Sequence, residues 1–256
     1  MRGSSTPRSQ AKGPLAPWAE RSGHDVNYMA IAGGLASSGS GAAPMMEMPP
    51  VADFASGLQS ALTIVAALLG LQPSGRGARH DLSLAETVLG WQSMNLTLAA
   101  RGEVPQRVAE LLNGGAACYR LYRCADGRFA SLGAIETKFW RNFCDAVERP
   151  DWIARQQGEA MPQIALTAEV AALFACRDAD AWETLLGPRD CCFAIALDAA
   201  AGTSHPQSVA RGLIDEPADG LPRREVRFPA WIDGAPPSAR IAVRRVTSLQ
   251  GALIWR

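Results

Sequence analysis

Residues 21 to 30 read RSGHDVNYMA, and in them one of only three histidines is followed closely by an acid, an amide and a phenol. His24, Asp25, Asn27 and Tyr28 fall within five positions. As structure, this is a polar turn entering a helix. As chemistry, it is a proton-transfer site, and it then needs carboxylates from elsewhere in the chain. Asp53 is one candidate. It stands ahead of an apolar run, where an aspartate is a preferred helix N-cap. The two roles are compatible, because a carboxylate at a helix N-terminus is held ionised by the helix dipole and can act as base or nucleophile. Glu136, in GAIETKFW, is the second candidate. It reads either as a surface acid in a first helical turn or as the partner of an imidazole, since a carboxylate accepting from one ring nitrogen raises the basicity of the other. His80, beside Asp81, and His205, before Pro206, read as structural. The adjacent Cys191 and Cys192 read as core.

The elements that must position these groups follow from pattern. VNYMAIAGGLA predicts a short helix ending in glycine, and the tract SSGSGAAPMMEMPP at 37–50 predicts a mobile cover or a plain connection. PVADFASG is expected to be briefly extended, delivering Asp53 to the helix FASGLQSALTIVAALLGL at 54–71. That run approaches the length of a membrane span, but Ser56, Gln59, Ser60 and Thr63 interrupt it, and a buried helix is expected. RHDLSL predicts a strand and AETVLGWQSMNLTLAARG one long helix, so the rhythm is that of a wound α/β domain. Beyond residue 105, CYRLYRC and FASLGAI flank the turn pair Asp126-Gly127 and predict a hairpin. Helices are expected at 137–148, 163–176 and 179–186, then a strand at CFAIAL. The division expected is a leader over 1–12, a large α/β domain over 13–104, a small α+β domain over 105–200, and a segment over 201–256 that returns to the large domain, with VRFPAWI as its strand-like piece.

Length permits one large domain or two smaller ones. With 25 basic and 25 acidic residues the net charge is zero, which favours neither a nucleic-acid binder nor a binder of anionic membranes. The six cysteines show no C-x-x-C pair or metal-ligand spacing, and no secretory signal is visible, so free thiols in a reducing cytoplasm are expected. The glycines and serines of 37–50 lack the Gly-Lys-Ser/Thr ending of a phosphate loop.

Four blocks in order resemble the family III CoA-transferases (CaiB/BaiF). They are GPLAPWAERSGHDVNYMAIAGGLA, PPVADFASGLQSALTIVAALLGLQPSGRGARHDLSLAE, LLNGGAACYRLYRCADGRFASLGAIETKFW and HPQSVARGLI, spanning Gly13 to Pro229. Gly23-His24-Asp25-Val26-Asn27-Tyr28 and Gly133-Ala134-Ile135-Glu136 are most similar to the α-methylacyl-CoA racemase branch. The resemblance implies a partial Rossmann-like large domain that binds CoA, a smaller α+β domain, and a homodimer of interlocked chains. It implies that His24 and Asp53 transfer protons at the carbon next to a thioester carbonyl, with Glu136 as partner of His24. Removing a proton on one face and returning one on the other requires two groups that exchange roles, through a planar enolate. The amide of Asp25 or the hydroxyl of Tyr28 is a candidate donor to the enolate oxygen. The substrate so implied is a 2-methyl-branched acyl-CoA of lipid metabolism, with no metal, flavin or nicotinamide. The alternative from the same family is a CoA-transferase that uses Asp53 as nucleophile to form an acyl-aspartyl anhydride. A third reading is a silent scaffold or fragment, because family members carry a further stretch ahead of the block at Gly13. That stretch holds the first half of the Rossmann-like domain and many contacts to the CoA nucleotide, and a misplaced start, a fragment or a companion polypeptide would each account for its lack here.

Overall fold

A computed structural model describes residues 6–10, 17–18, 21–75, 77–215, 224–236 and 238. The expected leader over 1–12 lies mostly outside them, and the closing stretch from 239 lies outside them altogether. The chain divides into two compact units, Met1–Ile195 and Ala196–Arg256.

The first unit begins with β1 (Thr6–Gln10), followed by α1 (Asp25–Ile31), α2 (Val51–Ser74), β2 (Arg79–Ser83), α3 (Leu84–Trp91) and α4 (Ser93–Ala100). β1 and β2 pair in parallel, Thr6 opposite Arg79 and Gln10 opposite Ser83. Tyr28, Met29, Ala32, Ala52 and Val88 form a small core where α1, α2 and α3 meet. Here the long helix expected over 85–102 is two helices. The break falls at Gln92, whose side-chain oxygen accepts from the Asn95 amide at 2.7 Å.

The expectation of a buried helix over 54–71 is corrected. Only 17% of Val51–Gly70 is buried, and among the described residues it is one helix long and apolar enough to cross a membrane. The inward face carries small residues, with Ala52, Ala55 and Ser56 buried. Phe54, Leu58, Leu62, Val65 and Leu69 face outward, each more than half exposed. α2 is amphipathic by size, not by polarity, and hydropathy alone does not say which side packs.

The rest of this unit is built on β3 (Tyr119–Arg123), β4 (Phe129–Gly133), α5 (Thr137–Ala146), α6 (Arg155–Gly158), α7 (Ile164–Phe174), α8 (Ala179–Leu186) and β5 (Phe193–Ile195). Its antiparallel sheet has the order β3-β4-β5. The hairpin between β3 and β4 closes Arg123 against Phe129, with Gly127 at φ +86° where a side chain would be strained. An aromatic core fills the space under the sheet. Phe174 lies at its centre, stacked on Tyr122 at 5.0 Å and on Phe143 at 6.0 Å, and tilted against Trp182 at 4.9 Å. Each polar ring atom in this core has a partner: Trp140 Nε1 donates to the Trp152 carbonyl at 3.0 Å, Trp182 Nε1 to the Phe174 carbonyl at 2.9 Å, and the Tyr122 hydroxyl to the Ala117 carbonyl at 2.7 Å. Of the vicinal cysteines expected in the core, Cys191 is buried, but Cys192 is exposed in a left-handed backbone conformation, φ 53°. Turning the chain there sends the two side chains to opposite sides.

The second unit comprises α9 (Ala199–Ser204), α10 (Pro206–Arg211), β6 (Ile214–Asp215) and β7 (Glu225–Val226). Asp198 caps α9 through the Ala201 amide at 2.8 Å, and His205 caps α10 through its Nδ1, which accepts from the Gln207 amide at 3.2 Å. β6 and β7 are antiparallel, and Arg227 forms an ion pair with Asp215 across them.

Candidate active site

His24 immediately precedes α1 in extended backbone, φ −126° and ψ −179°. Its neighbours hold it there. The His24 amide donates to Asn27 Oδ1 at 3.0 Å, and the Asn27 amide returns a bond to the His24 carbonyl at 2.9 Å. Tyr28 is buried and its hydroxyl donates to the Gly23 carbonyl at 2.6 Å. Gly23 permits that approach, since a Cβ there would stand 3.3 Å from both the Tyr28 ring and Asn27 Cβ. Asp25 reaches across to α2, where its Oδ1 accepts from the Asp53 amide at 3.1 Å. Three residues of the short motif therefore position the fourth, His24.

Asp53 was expected at the N-cap of its helix. It is the third residue instead: α2 begins at Val51, and its first turn closes from the Phe54 amide to the Pro50 carbonyl at 3.2 Å. Among the described residues no hydrogen bond is made by the Asp53 carboxylate, while its backbone amide donates to Asp25. This one bond places the first turns of α1 and α2 side by side. His24 and Asp53, separate in sequence, belong to adjoining helix starts.

His24 lines a cavity of about 220 Å³ with Asp25, Met29, Leu35, Glu47 and Pro50. Glu47 was not anticipated. It is the sole acid in the tract PMMEMPP, a signal available in the sequence, but its approach to His24 depends on how the 37–50 segment is fixed. Arg107 ties that segment through the Ser40 carbonyl at 2.9 Å and the Ala36 carbonyl at 3.3 Å, and Asn113 holds the Ser37 carbonyl at 3.2 Å. These long-range bonds make the segment an anchored wall. Glu47 also lines a larger cleft of about 920 Å³, walled by Ser37–Gly41, Tyr119, Arg120, Ser131 and Cys192.

Glu136 lies in the other half of the unit. It caps α5 through its carbonyl, which accepts from the Phe139 amide at 3.0 Å, while its side chain is exposed and makes no capping bond. The backbone leading to it is fixed. Gln156, buried, donates its amide to the carbonyls of Ile135 at 2.7 Å and Ala134 at 3.0 Å, and the Ala134 amide donates to the Cys118 carbonyl at 2.8 Å. The negative charge of Glu136, after burial, helps push the Cys192 thiol up from its ordinary pKa. Glu136 is not among the residues lining the His24 cavity, and among the described residues no hydrogen bond or ion pair joins the two. The chain joins Asp25 to the Asp53 amide at the starts of α1 and α2 and puts His24 and Asp25 in one cavity, whose lining includes neither the Asp53 nor the Glu136 side chain.

Beside this geometry stand the relatives. The sequence profile described as CoA-transferase family III matches residues 9–243. The chain belongs to that family. Family III relatives include the human α-methylacyl-CoA racemase, 39% identical over 127 residues, which are 46% of this chain and 32% of the human protein. A CaiB/BaiF CoA-transferase family protein of Caenorhabditis elegans is 28% identical over 206 residues, 78% of this chain and 58% of that protein. Among solved structures, Rv3272 of Mycobacterium tuberculosis superposes with a TM-score of 0.71 at 22% identity, covering 90% of this chain and 63% of that one. A CaiB/BaiF family protein from Brucella suis gives 0.69 at 20% identity, with 90% and 61% covered. The fold is that of these α/β proteins, and the chain spans less than two thirds of the length of each.

Proposed function

We propose that this family III protein is a racemase of 2-methyl-branched acyl-CoA thioesters, working by proton transfer between His24 and Asp53. The observation that supports the reading is the bond from the Asp53 amide to Asp25, which joins the starts of α1 and α2, the helices at whose starts His24 and Asp53 stand. One group, unprotonated, takes the α-proton. The other, protonated, returns a proton to the opposite face of the enolate, and the pair is ready for the other enantiomer. The shared motif and the identity to the human racemase support the assignment. CoA is part of the substrate, and the chemistry draws on the chain's own acids and bases without metal, flavin or nicotinamide. The large domain is then the later part of a Rossmann-like CoA-binding domain, in a cytoplasmic protein. Glu136 serves His24 of a second copy in an interlocked homodimer, in keeping with its separation from His24 in its own chain.

The second reading, CoA transfer through an anhydride on Asp53, has its own support, because that carboxylate is not spent on capping α2. Incubating a 2-methylacyl-CoA in heavy water without an acceptor acid separates the two. Racemisation places deuterium at the α-carbon with the thioester intact, and both His24→Ala and Asp53→Asn slow it by about 10²- to 10⁴-fold. CoA passing to an added carboxylic acid with no α-deuterium, abolished by Asp53→Asn and little changed by His24→Ala, would establish the transferase instead.

A further inference from the structure

Glu136 is exposed and its side chain makes no capping bond, yet the main chain on both sides of it is held. After it, the Glu136 carbonyl accepts from the Phe139 amide at 3.0 Å and from the Trp140 amide at 3.1 Å as α5 begins. Before it, Gln156 reaches from α6 and donates its two amide hydrogens to the Ile135 carbonyl at 2.7 Å and the Ala134 carbonyl at 3.0 Å. With the peptide planes on either side of the Glu136 Cα fixed, the direction of its Cα–Cβ bond is fixed too, and only the side-chain torsions remain free.

The Gln156 amide has one workable orientation. Turned over, its oxygen would face two carbonyl oxygens. As placed, that oxygen is buried without a hydrogen-bond partner among the described residues, with the weakly polar Cys118 thiol beside the amide. α6 is itself clamped. The Gln156 carbonyl accepts from Gln163 Nε2 at 2.7 Å, Gln163 Oε1 accepts from the Ala117 amide at 3.1 Å, and Arg155 pairs with Glu169 at 2.9 Å. A four-residue helix tied at so many points is a bracket.

We propose that Gln156 is a positioning residue for Glu136: its amide fixes the peptide groups ahead of that carboxylate and so sets where the charge stands. This role rests on the reading in which Glu136 serves an imidazole, since a carboxylate raises the basicity of one ring nitrogen only when it accepts from the other. Cys192 is a witness to the same charge. It is an exposed residue whose carbonyl accepts from the Gly133 amide at 2.9 Å. Partial burial first, then the charge of Glu136, then that of Asp190, pushes its thiol up from the ordinary value, against a pull from Lys138.

The test uses the whole chain carrying Cys176→Ser, which leaves Cys192 as the one exposed cysteine. The pH profile of its alkylation by iodoacetamide should move to lower pH in Glu136→Gln, and Gln156→Met should reproduce at least half of that move. In α-deuteration of a 2-methylacyl-CoA in heavy water, Gln156→Met should lower kcat by about 10- to 100-fold with KM little changed. The Gln156→Met/Glu136→Gln double variant should be no slower than Glu136→Gln alone, because a residue that acts only through another loses nothing further once that one is gone. Should Gln156→Met misfold by circular dichroism, Gln156→Asn, which carries the amide on a shorter arm, takes its place with the same expectations. A wild-type alkylation profile in the Gln156 variant overturns the proposal, as does a double variant in which the two single losses multiply. A wild-type chain that exchanges no deuterium overturns the racemase reading instead, and the alkylation profile still decides whether Gln156 sets Glu136.

Discussion

Tyr28 and Asp25 show how much of a reactive motif is scaffolding. The sequence points to the histidine and offers the Tyr28 hydroxyl or the Asp25 amide as donor to the enolate; in the fold the phenol proton goes to the Gly23 carbonyl, and the Asp25 carboxylate accepts from the Asp53 amide. On the racemase reading, these two side chains act by positioning. Tyr28→Phe should lower stability by about 1 kcal/mol, the usual net value of one hydrogen bond, seen as a lower Tm. Asp25→Ala should reduce α-proton exchange by roughly 10- to 100-fold, as expected when a positioning contact is lost, while Asp25→Asn, which keeps an acceptor oxygen, should recover most of it. Equal rates in the Ala and Asn variants would show that the bond to Asp53 does not matter. Legibility at this scale stops at contacts made across the chain. His24 and Asp53 can be named as candidates from the sequence, whereas Glu47 comes to line the His24 cavity in a segment that Arg107 and Asn113 pin from some 70 residues downstream.

Among the elements, the β3-β4 hairpin was readable because Asp126-Gly127 is local chemistry, a turn whose backbone angles few other pairs accept. α5, α7 and α8 also declare themselves, since their aromatic and aliphatic positions recur at helical spacing around a single core. α2 was misjudged for a physical reason: its two faces differ in size and not in polarity, so nothing local marks the inside. The aromatic lobe carries a charge device as well. Glu169 accepts from Arg155, from Trp152 Nε1 at 3.0 Å and from Arg149 at 3.0 Å. The Arg155 bond first, then that of Trp152, holds its carboxyl well down, at about 2. With the folded value depressed, the unfolded chain binds more protons in the interval between, so this stabilisation is complete above about pH 5 and is lost as pH falls toward 2. Thermal melts from pH 6 to pH 2 should therefore fall less steeply for Glu169→Gln than for the wild-type chain. Parallel slopes would remove Glu169 from the account of acid unfolding.

At the scale of the whole molecule, the separation of Glu136 from His24 predicts complementation between copies. On the interlocked-dimer reading, His24→Ala and Glu136→Gln chains, each severely impaired alone, should recover roughly a quarter of the wild-type rate when co-expressed in equal amounts. Half of the dimers are then mixed, and each of these has one intact site. No recovery on co-expression would mean that Glu136 acts within its own chain or not at all. The other feature at this scale is the large-side-out face of α2. Exposed apolar surface is what chaperones and proteases recognise when they triage incompletely folded chains. Phe54, Leu58, Leu62, Val65 and Leu69 are the residues by which such machinery would read this chain wherever that face is bare.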